Sequence, residues 1–594
     1  MKEVLLYYEK LHNTLTKVDQ EAEFSRRLMD TVQEIVDELP PHANIALRPR
    51  GEFTSQFLRL IKFREKKIVG VFDRNAIQNS LEGIPCYTLD YMETFPVDAV
   101  LVTSFNRHHE IVQEMLENGG GGCIIDICGL LEQRGYELNA PFYQYSSGIG
   151  SHEILNFFYC DYFKSGGLDD SKLRRLLVAS IEAKDFQMIL ELCERRKGFS
   201  EIPGFVFEVE ERTLKLISLI ERKMKEREEK DIWLFWTDAV SYHRLDYLPG
   251  IYQLSKESVF FERAYTNTPF THATQRAIMS GILPVDDFEE SQRLIKKEGS
   301  ILLQYLEDKG YSFKTVGCDG ERTRGIEDKY AIHMRGHSSC NMILWEALIH
   351  MLDSSEPVFY ILHFLAETHP PMVSPVLEQI SYEVAYDKHE MMIPNQMKTS
   401  FQYVDSRIMF YHKLLGGRTQ IFMSDHGEHL AFPQYEWSEV KIHAYCFVWD
   451  GVKKSREKRF LQFRNFYKVV QWILEGETYT LDRALDDYAI FQDVDIYSQS
   501  RIPIYIARGL EEYAISYRGA ITYGYKYVID GMGREYYYSI DGNEEKEIEW
   551  DGSEKIERLK VLAGTLFLDI SKLEKFNDSK KLYESIRNKS TGRC

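Results

Sequence analysis

Apolar positions in the first stretch of the chain recur at helical spacing. Leu5, Leu11, Leu15 and Val18, then Leu28, Val32, Ile35 and Val36, predict helix over residues 1–38, ended by Pro40 and Pro41. The pattern then changes to short apolar runs separated by amphipathic stretches. Runs at 44–47, 68–73 (IVGVFD), 97–104 (VDAVLVTS) and 123–127 (CIIDI), with CYTLDYM, predict buried strands. A turn into a helix over RPRGEFTSQFLRLIK and a helix over 108–117 lie between them, and this alternation predicts a parallel, doubly wound sheet. Helical spacing returns at 152–163, 171–197 and 207–230, the last ending in the charged KMKEREEKD. A second set of buried strand runs follows: IWLFW (232–236), FKTVG (313–317), VFYILHF (358–364), TQIFMS (419–424) and AYCFVW (444–449). From 503 to 550 alternating aromatics with turns at Gly524 and Gly531–Gly533 predict antiparallel strands, and 571–588 a final helix.

These changes divide the chain into an N-terminal helical segment (1–40), an α/β domain (41–150), a helical connector (151–230), a second α/β domain (231–500) and a β-rich subdomain with a helix (501–594). A length of 594 residues agrees with several domains, and 44% hydrophobic and 13% aromatic content is globular. Seventy-three basic against 92 acidic residues leave a formal charge of −19, which argues against a general nucleic-acid partner. Nine scattered cysteines without a CxxC pair read as reduced thiols. The opening lacks the apolar core of a signal peptide, and no run reaches the ~18–20 apolar residues of a membrane span. A soluble, cytoplasmic protein is therefore expected. The four glycines at 119–122 read as an entry to the CIIDI strand, since no GKS or GKT follows.

Three strand ends carry candidate chemistry. IFMSDHGEHL delivers Asp425 and His426 to a strand tip, with Gly427 for a turn; a carboxylate beside an imidazole on a rigid element suits a transition-metal ion. Asp238 follows IWLFWT, where it is a ligand candidate or a helix N-cap. Thr271 opens a helix predicted over 273–280 and ended by Gly281; a hydroxyl there would sit beside free N–H groups and the positive dipole end, which favour a phosphate. Capping by Thr271 or Thr274 is the alternative. In a parallel sheet such strand ends converge on one edge.

The order of these elements resembles the alkaline phosphatase/sulfatase superfamily. It carries TP-x-T-x(8)-SG (268–281), VFYILHFLAETHPPM (358–372), YVDSRIMFYHKLL (403–415) and SDHGE (424–428). The resemblance covers about 231–500 and is nearest to the branch containing phosphoethanolamine and phosphoglycerol transferases; the tail KYVIDGMGREYYYSIDGNEEKEIE is similar to the small C-terminal subdomain of those proteins. It implies an α/β/α sandwich with a small antiparallel subdomain, and a divalent ion, Mn²⁺ or Zn²⁺, held by Asp238, Thr271, Asp425 and His426. Thr271 takes the nucleophile position. His369, in the THPP turn, falls where a histidine meets the substrate phosphate or leaving group, and His443 is a looser match for a further ligand or acid. Glu428 reads as supporting the ligands. The first α/β region resembles the Rossmann-like domains found beside sugar-modifying enzymes, which implies a nucleotide-sugar partner or a docking role. Only Gly51 stands where several glycines would, and Arg48, Pro49 and Arg50 crowd the turn.

Formylglycine sulfatases need Cys or Ser in C/S-x-P/A-x-R, and here Thr271-His272-Ala273-Thr274-Gln275 offers neither that residue nor the arginine. The expected activity is thus a metal-dependent phosphotransferase or phosphodiesterase on a soluble phosphorylated glycan, glycerol or ethanolamine ester. A sulfuric-ester hydrolase and an inactive binding module in a polysaccharide pathway are the competing readings.

Overall fold

The computed structural model describes residues 1–594 except 16–19, 75–79, 105–107, 118–122, 135–150, 165, 229, 284–293, 318–325, 333, 335–338, 365–388, 428–436, 494–515, 531–532, 542–543, 551 and 566–594. His369, Glu428, the glycine run and the helix expected over 571–588 lie outside the described residues.

The first sheet is built from β1 (Asn44–Arg48), β2 (Lys67–Asp73), β3 (Ser80–Leu81), β4 (Ile84–Thr88), β5 (Ala99–Val102) and β6 (Cys123–Asp126), in the order β3-β4-β2-β1-β5-β6. All its pairs are parallel except β3 with β4. The five parallel strands run outward in both directions from β1, the arrangement of doubly wound sheets. CYTLDYM is only half strand: β4 stops at Thr88 and Leu89–Thr94 turns into a 3-10 helix. The Arg48 guanidinium is buried against the Glu114 carboxylate. Asp73, the acid ending β2, accepts the Arg50 backbone N–H (3.0 Å).

The helical pattern at 171–197 resolves into two helices, Asp170–Glu182 and Phe186–Lys197. Lys184 interrupts it with a left-handed φ of 61°, and Asp185 starts the second helix by accepting the Met188 N–H (2.9 Å). Asp185 also accepts bonds from Arg407 Nε (3.2 Å) and the Tyr403 hydroxyl (2.8 Å) on the long helix His389–Leu415. Leu176, Leu192, Val209 and Leu216 of this region share one apolar core with Trp233, Phe235, Phe422 and Phe447 beyond it.

The second sheet has nine strands: β7 (Ile232–Thr237), β8 (Val259–Tyr265), β9 (Ser312–Gly317), β10 (Ala331–Ile332), β11 (Val358–Phe364), β12 (Gln420–Ser424), β13 (His443–Trp449), β14 (Ser455–Gln462) and β15 (Leu485–Asp486). Their order is β10-β9-β11-β7-β12-β13-β8-β14-β15. β9, β11, β7 and β12 are mutually parallel, with Leu234 opposite both Ile361 and Ile421. Every residue of β7 is buried, because both faces are covered: Trp233 and Phe235 join one core, Ile232, Leu234 and Trp236 the other. β13 runs antiparallel between β12 and β8. The carboxyl ends of β7, β8, β11 and β12 and the start of β13 therefore share one edge.

A third sheet, fully antiparallel, comprises β16 (Ala489–Asp493), β17 (Tyr517–Thr522), β18 (Tyr525–Asp530), β19 (Glu535–Asp541) and β20 (Glu544–Glu547) in sequence order. Tyr523 and Gly524, with φ of 82° at the glycine, turn β17 into β18. Helix Glu554–Thr565, absent from the sequence reading, packs Leu559 and Ala563 against this sheet. Together the layers form the expected α/β architecture with a small antiparallel subdomain. Among the described residues no helix is long and apolar enough to cross a membrane.

Candidate functional site

Asp238 stands one residue beyond β7, and its N–H continues the ladder by donating to Phe364 O (3.0 Å). It does not cap a helix. Ala239 adopts a left-handed φ of 56°, a conformation costing a residue with a Cβ about 1 kcal/mol. That turn directs the Ala239 N–H to Asp425 Oδ1 (2.9 Å), which also accepts the His426 N–H (2.9 Å). The two strand tips are thereby fastened to one another through the carboxylate. Gly427 allows the chain to pass: its N–H donates to Lys441 O (2.8 Å), and a Cβ there would lie 1.7 Å from Val440 O.

On the other side, Thr266 and Thr274 donate their hydroxyls to Thr268 O (2.6 and 2.8 Å) and hold the loop after β8. The helix Thr271–Ser280 begins two residues earlier than the pattern suggested and ends at Gly281, whose φ is 71°. Its N-cap residue is Phe270, which makes no side-chain capping bond, so neither threonine acts as the cap. The half-buried Thr271 instead donates its hydroxyl to Asp238 Oδ2 (3.1 Å), with His426 Nε2 3.5 Å from the same oxygen. The helix's positive end lies beside this hydroxyl.

Asp238 and Asp425 are fully buried and His426 nearly so. His426 Nδ1 donates to the Gly427 carbonyl (2.8 Å), a partner that can only accept, which leaves the Nε2 lone pair facing Thr271 and Asp425 Oδ2 (3.4 Å). Asp425 Oδ2 is buried and accepts no hydrogen bond among the described residues. Burial first, and the Asp238 charge second, push the Asp425 carboxyl above its ordinary range. Two buried carboxylates and an imidazole lone pair crowd one point, and a cation there would relieve all three.

Sequence reasoning missed His363. Its Nε2 donates to Asp238 Oδ2 (2.8 Å), and Asp238, His363 and Asp425 each offer a ligand atom within 4.8 Å of the others. The available signal was a histidine near the end of the apolar run VFYILHF, on a strand whose end faces the site. His443, by contrast, groups with His243 and Glu439.

No family model matches the chain, and no curated protein is similar to it. Solved structures are. One is a protein in the alkaline phosphatase superfamily from Vibrio parahaemolyticus, at 14% identity and a TM-score of 0.41, covering 63% of this chain and 96% of the other. A 2-O GAG sulfatase gives 14% identity and a TM-score of 0.44, with 60% and 94% covered. The phosphonate monoester hydrolase of Agrobacterium radiobacter gives 13% and 0.42, with 57% and 95% covered.

Proposed function

We propose that this chain is a metal-dependent phosphotransferase or phosphodiesterase with Thr271 as nucleophile, acting on a soluble phosphorylated glycan, glycerol or ethanolamine ester. The observation that carries the reading is a hydroxyl at a helix N-terminus, 3.1 Å from a buried carboxylate and 3.5 Å from an imidazole lone pair. The unsatisfied Asp425 Oδ2 and the crowding of Asp238 and Asp425 fit a divalent cation, held by Asp238, Thr271, Asp425 and His426. Mixed oxygen and nitrogen donors favour Mn²⁺ or Zn²⁺ over Ca²⁺. Such an ion, when bound, lowers the pKa of a hydroxyl in contact with it and offsets charge on a phosphoryl oxygen.

The residues themselves supply the rest. Thr271 Oγ attacks phosphorus as its proton leaves along the hydrogen bond to Asp238 Oδ2, and the bond from phosphorus to the leaving alcohol breaks. The helix N-terminus accommodates charge on the phosphoryl oxygens. Water or an acceptor hydroxyl, giving its proton to the His369 left deprotonated by the first step, then displaces Thr271, whose oxygen recovers its proton from Asp238. His363 orients Asp238, and His369 is assigned to protonating the leaving alcohol. The sheet at residues 44–126 is the candidate seat of a nucleotide-sugar, and a cytoplasmic location belongs to the same reading.

Threonine cannot become formylglycine, so sulfate esters are disfavoured. The test compares purified parent and Thr271→Ala on nitrophenyl phosphodiester, phosphomonoester and sulfate substrates with added Mn²⁺ or Zn²⁺. Phosphoester turnover lost by roughly 10³-fold in the variant supports the reading; sulfate release alone, or unchanged turnover in the variant, overturns it.

A further inference from the structure

A second cluster lies at the same sheet edge, outside the chemistry above. His243 sits in the 3-10 turn Tyr242–Tyr247 that follows Asp238; Glu439 opens the short helix Glu439–Ile442; His443 begins β13. One ligand atom from each lies within 4.8 Å of the others. His443 Nε2 is 3.0 Å from the Glu262 carbonyl, which can only accept, so Nε2 carries the proton. In the neutral ring the Nδ1 lone pair then faces Glu439 Oε2 at 3.5 Å, an oxygen already taking the Tyr265 hydroxyl (2.7 Å). Two acceptors facing each other need a proton or a cation between them.

A proton does not complete the account. Converting His443 to imidazolium would satisfy Glu439 Oε2, yet Glu439 Oε1 and His243 Nε2 are both buried without a hydrogen-bond partner among the described residues. Glu439 as a whole is 3% exposed, so its second oxygen has no access to bulk water. Leaving two such buried groups without a partner is unfavourable. A single ion bound by all three side chains meets every unsatisfied atom at once.

We propose that His243 Nε2, the Glu439 carboxylate and His443 Nδ1 form a second divalent-metal site of the zinc type, distinct from the Asp238–Thr271–Asp425–His426 group. Two imidazoles and one carboxylate suit a borderline ion such as Zn²⁺ rather than Mg²⁺ or Ca²⁺. Bonds of about 2.0–2.1 Å in a tetrahedron set ligand atoms roughly 3.3–3.4 Å apart, and the Glu439–His443 separation of 3.5 Å is close to that. The site is also held in place. The His443 ring lies between Tyr242 (4.2 Å, 7°) and Tyr265 (4.6 Å, 10°), stacked on both faces. Its bond to Glu262 O is the outer hydrogen bond that orients metal-binding histidines. The ion would clip this edge behind the Asp425–Gly427 turn, since Gly427 N–H already bonds Lys441 O and Ser241 bridges Ala444.

The experiment is equilibrium dialysis of the full-length protein against ZnSO₄, with zinc counted per chain, in the parent, His243→Gln, His443→Gln and Asp425→Ala. Cobalt substitution is read in parallel by its visible spectrum. We expect about two zinc ions in the parent and about one in each variant. The cobalt spectrum of Asp425→Ala should keep the component that His243→Gln loses. A parent binding one zinc that Asp425→Ala abolishes would overturn the proposal, as would a full count in both histidine variants; waters would then fill the cluster. If His443→Gln does not fold, the partly exposed His243→Gln and the parent's own count still decide. Loss of phosphoester turnover elsewhere does not bear on this count, so the two readings fail separately.

Discussion

Thr271 Oγ1 lies 3.1 Å from Asp238 Oδ2, although the two residues stand 33 positions apart and follow different strands. β7 and β8 are not neighbours in the sheet: β12 and β13 intervene. The contact exists because β8 runs in the same sense as β12, so the turns after both strands open on one edge.

Asp425→Asn separates two effects of the buried carboxylates. Asparagine keeps an oxygen for the Ala239 and His426 N–H groups and removes the charge that Asp238 opposes. In chelator-treated protein we expect the variant to be more stable than the parent, by about 1–2 kcal/mol in urea melts. With metal at ~1,000 times the dissociation constant of this site the parent gains about 4 kcal/mol from it, a gain the variant largely lacks. A parent whose melting is indifferent to chelator and added metal would contradict this.

Gly427→Ala tests the turn that carries His426. The added methyl would sit 1.7 Å from a backbone carbonyl, Val440 O, which cannot swing aside as a side chain could. We expect a destabilisation above about 3 kcal/mol by thermal or urea denaturation, or no folded protein. A variant with the parent's melting temperature would contradict this close approach.

Lys184 gives a pH signature. It is half-buried against the Tyr8 ring (3.9 Å to its centre), and the partial loss of water brings its pKa from 10.5 down to about 8 despite Glu346 and Glu182. The unfolded chain therefore binds more protons between pH 8 and 10.5, and stability rises with pH across that window. The size is about 2–3 kcal/mol. Urea melts from pH 7 to 10.5 should show the rise in the parent and a flatter curve in Lys184→Met; parallel curves would refute the assignment.

Much of this was legible in the sequence because strand interiors buried on both faces leave near-continuous apolar runs. VFYILHF coincides with β11, and Asp238, Thr271, Asp425 and His426 were marked by their positions after such runs and a helix start. β8 was not marked: VFFERAY carries Glu262 and Arg263 in its middle, since that part of the strand is only half buried. His363 was hidden for the opposite reason, as a polar residue inside an apolar run. The break at Ala183–Asp185 interrupts an otherwise unbroken helical periodicity, and only the Asp185 cap betrays it. His243 and Glu439 had no motif at all, because three different elements bring them to His443.

The central claim is that Asp238, Thr271, Asp425 and His426 close around one cation, and anomalous diffraction from crystals grown with MnCl₂ tests it most directly. We expect a manganese peak within about 2.0–2.3 Å of an oxygen of each aspartate, Thr271 Oγ1 and His426 Nε2. Diffraction from manganese-saturated crystals with no peak between these four side chains would contradict it.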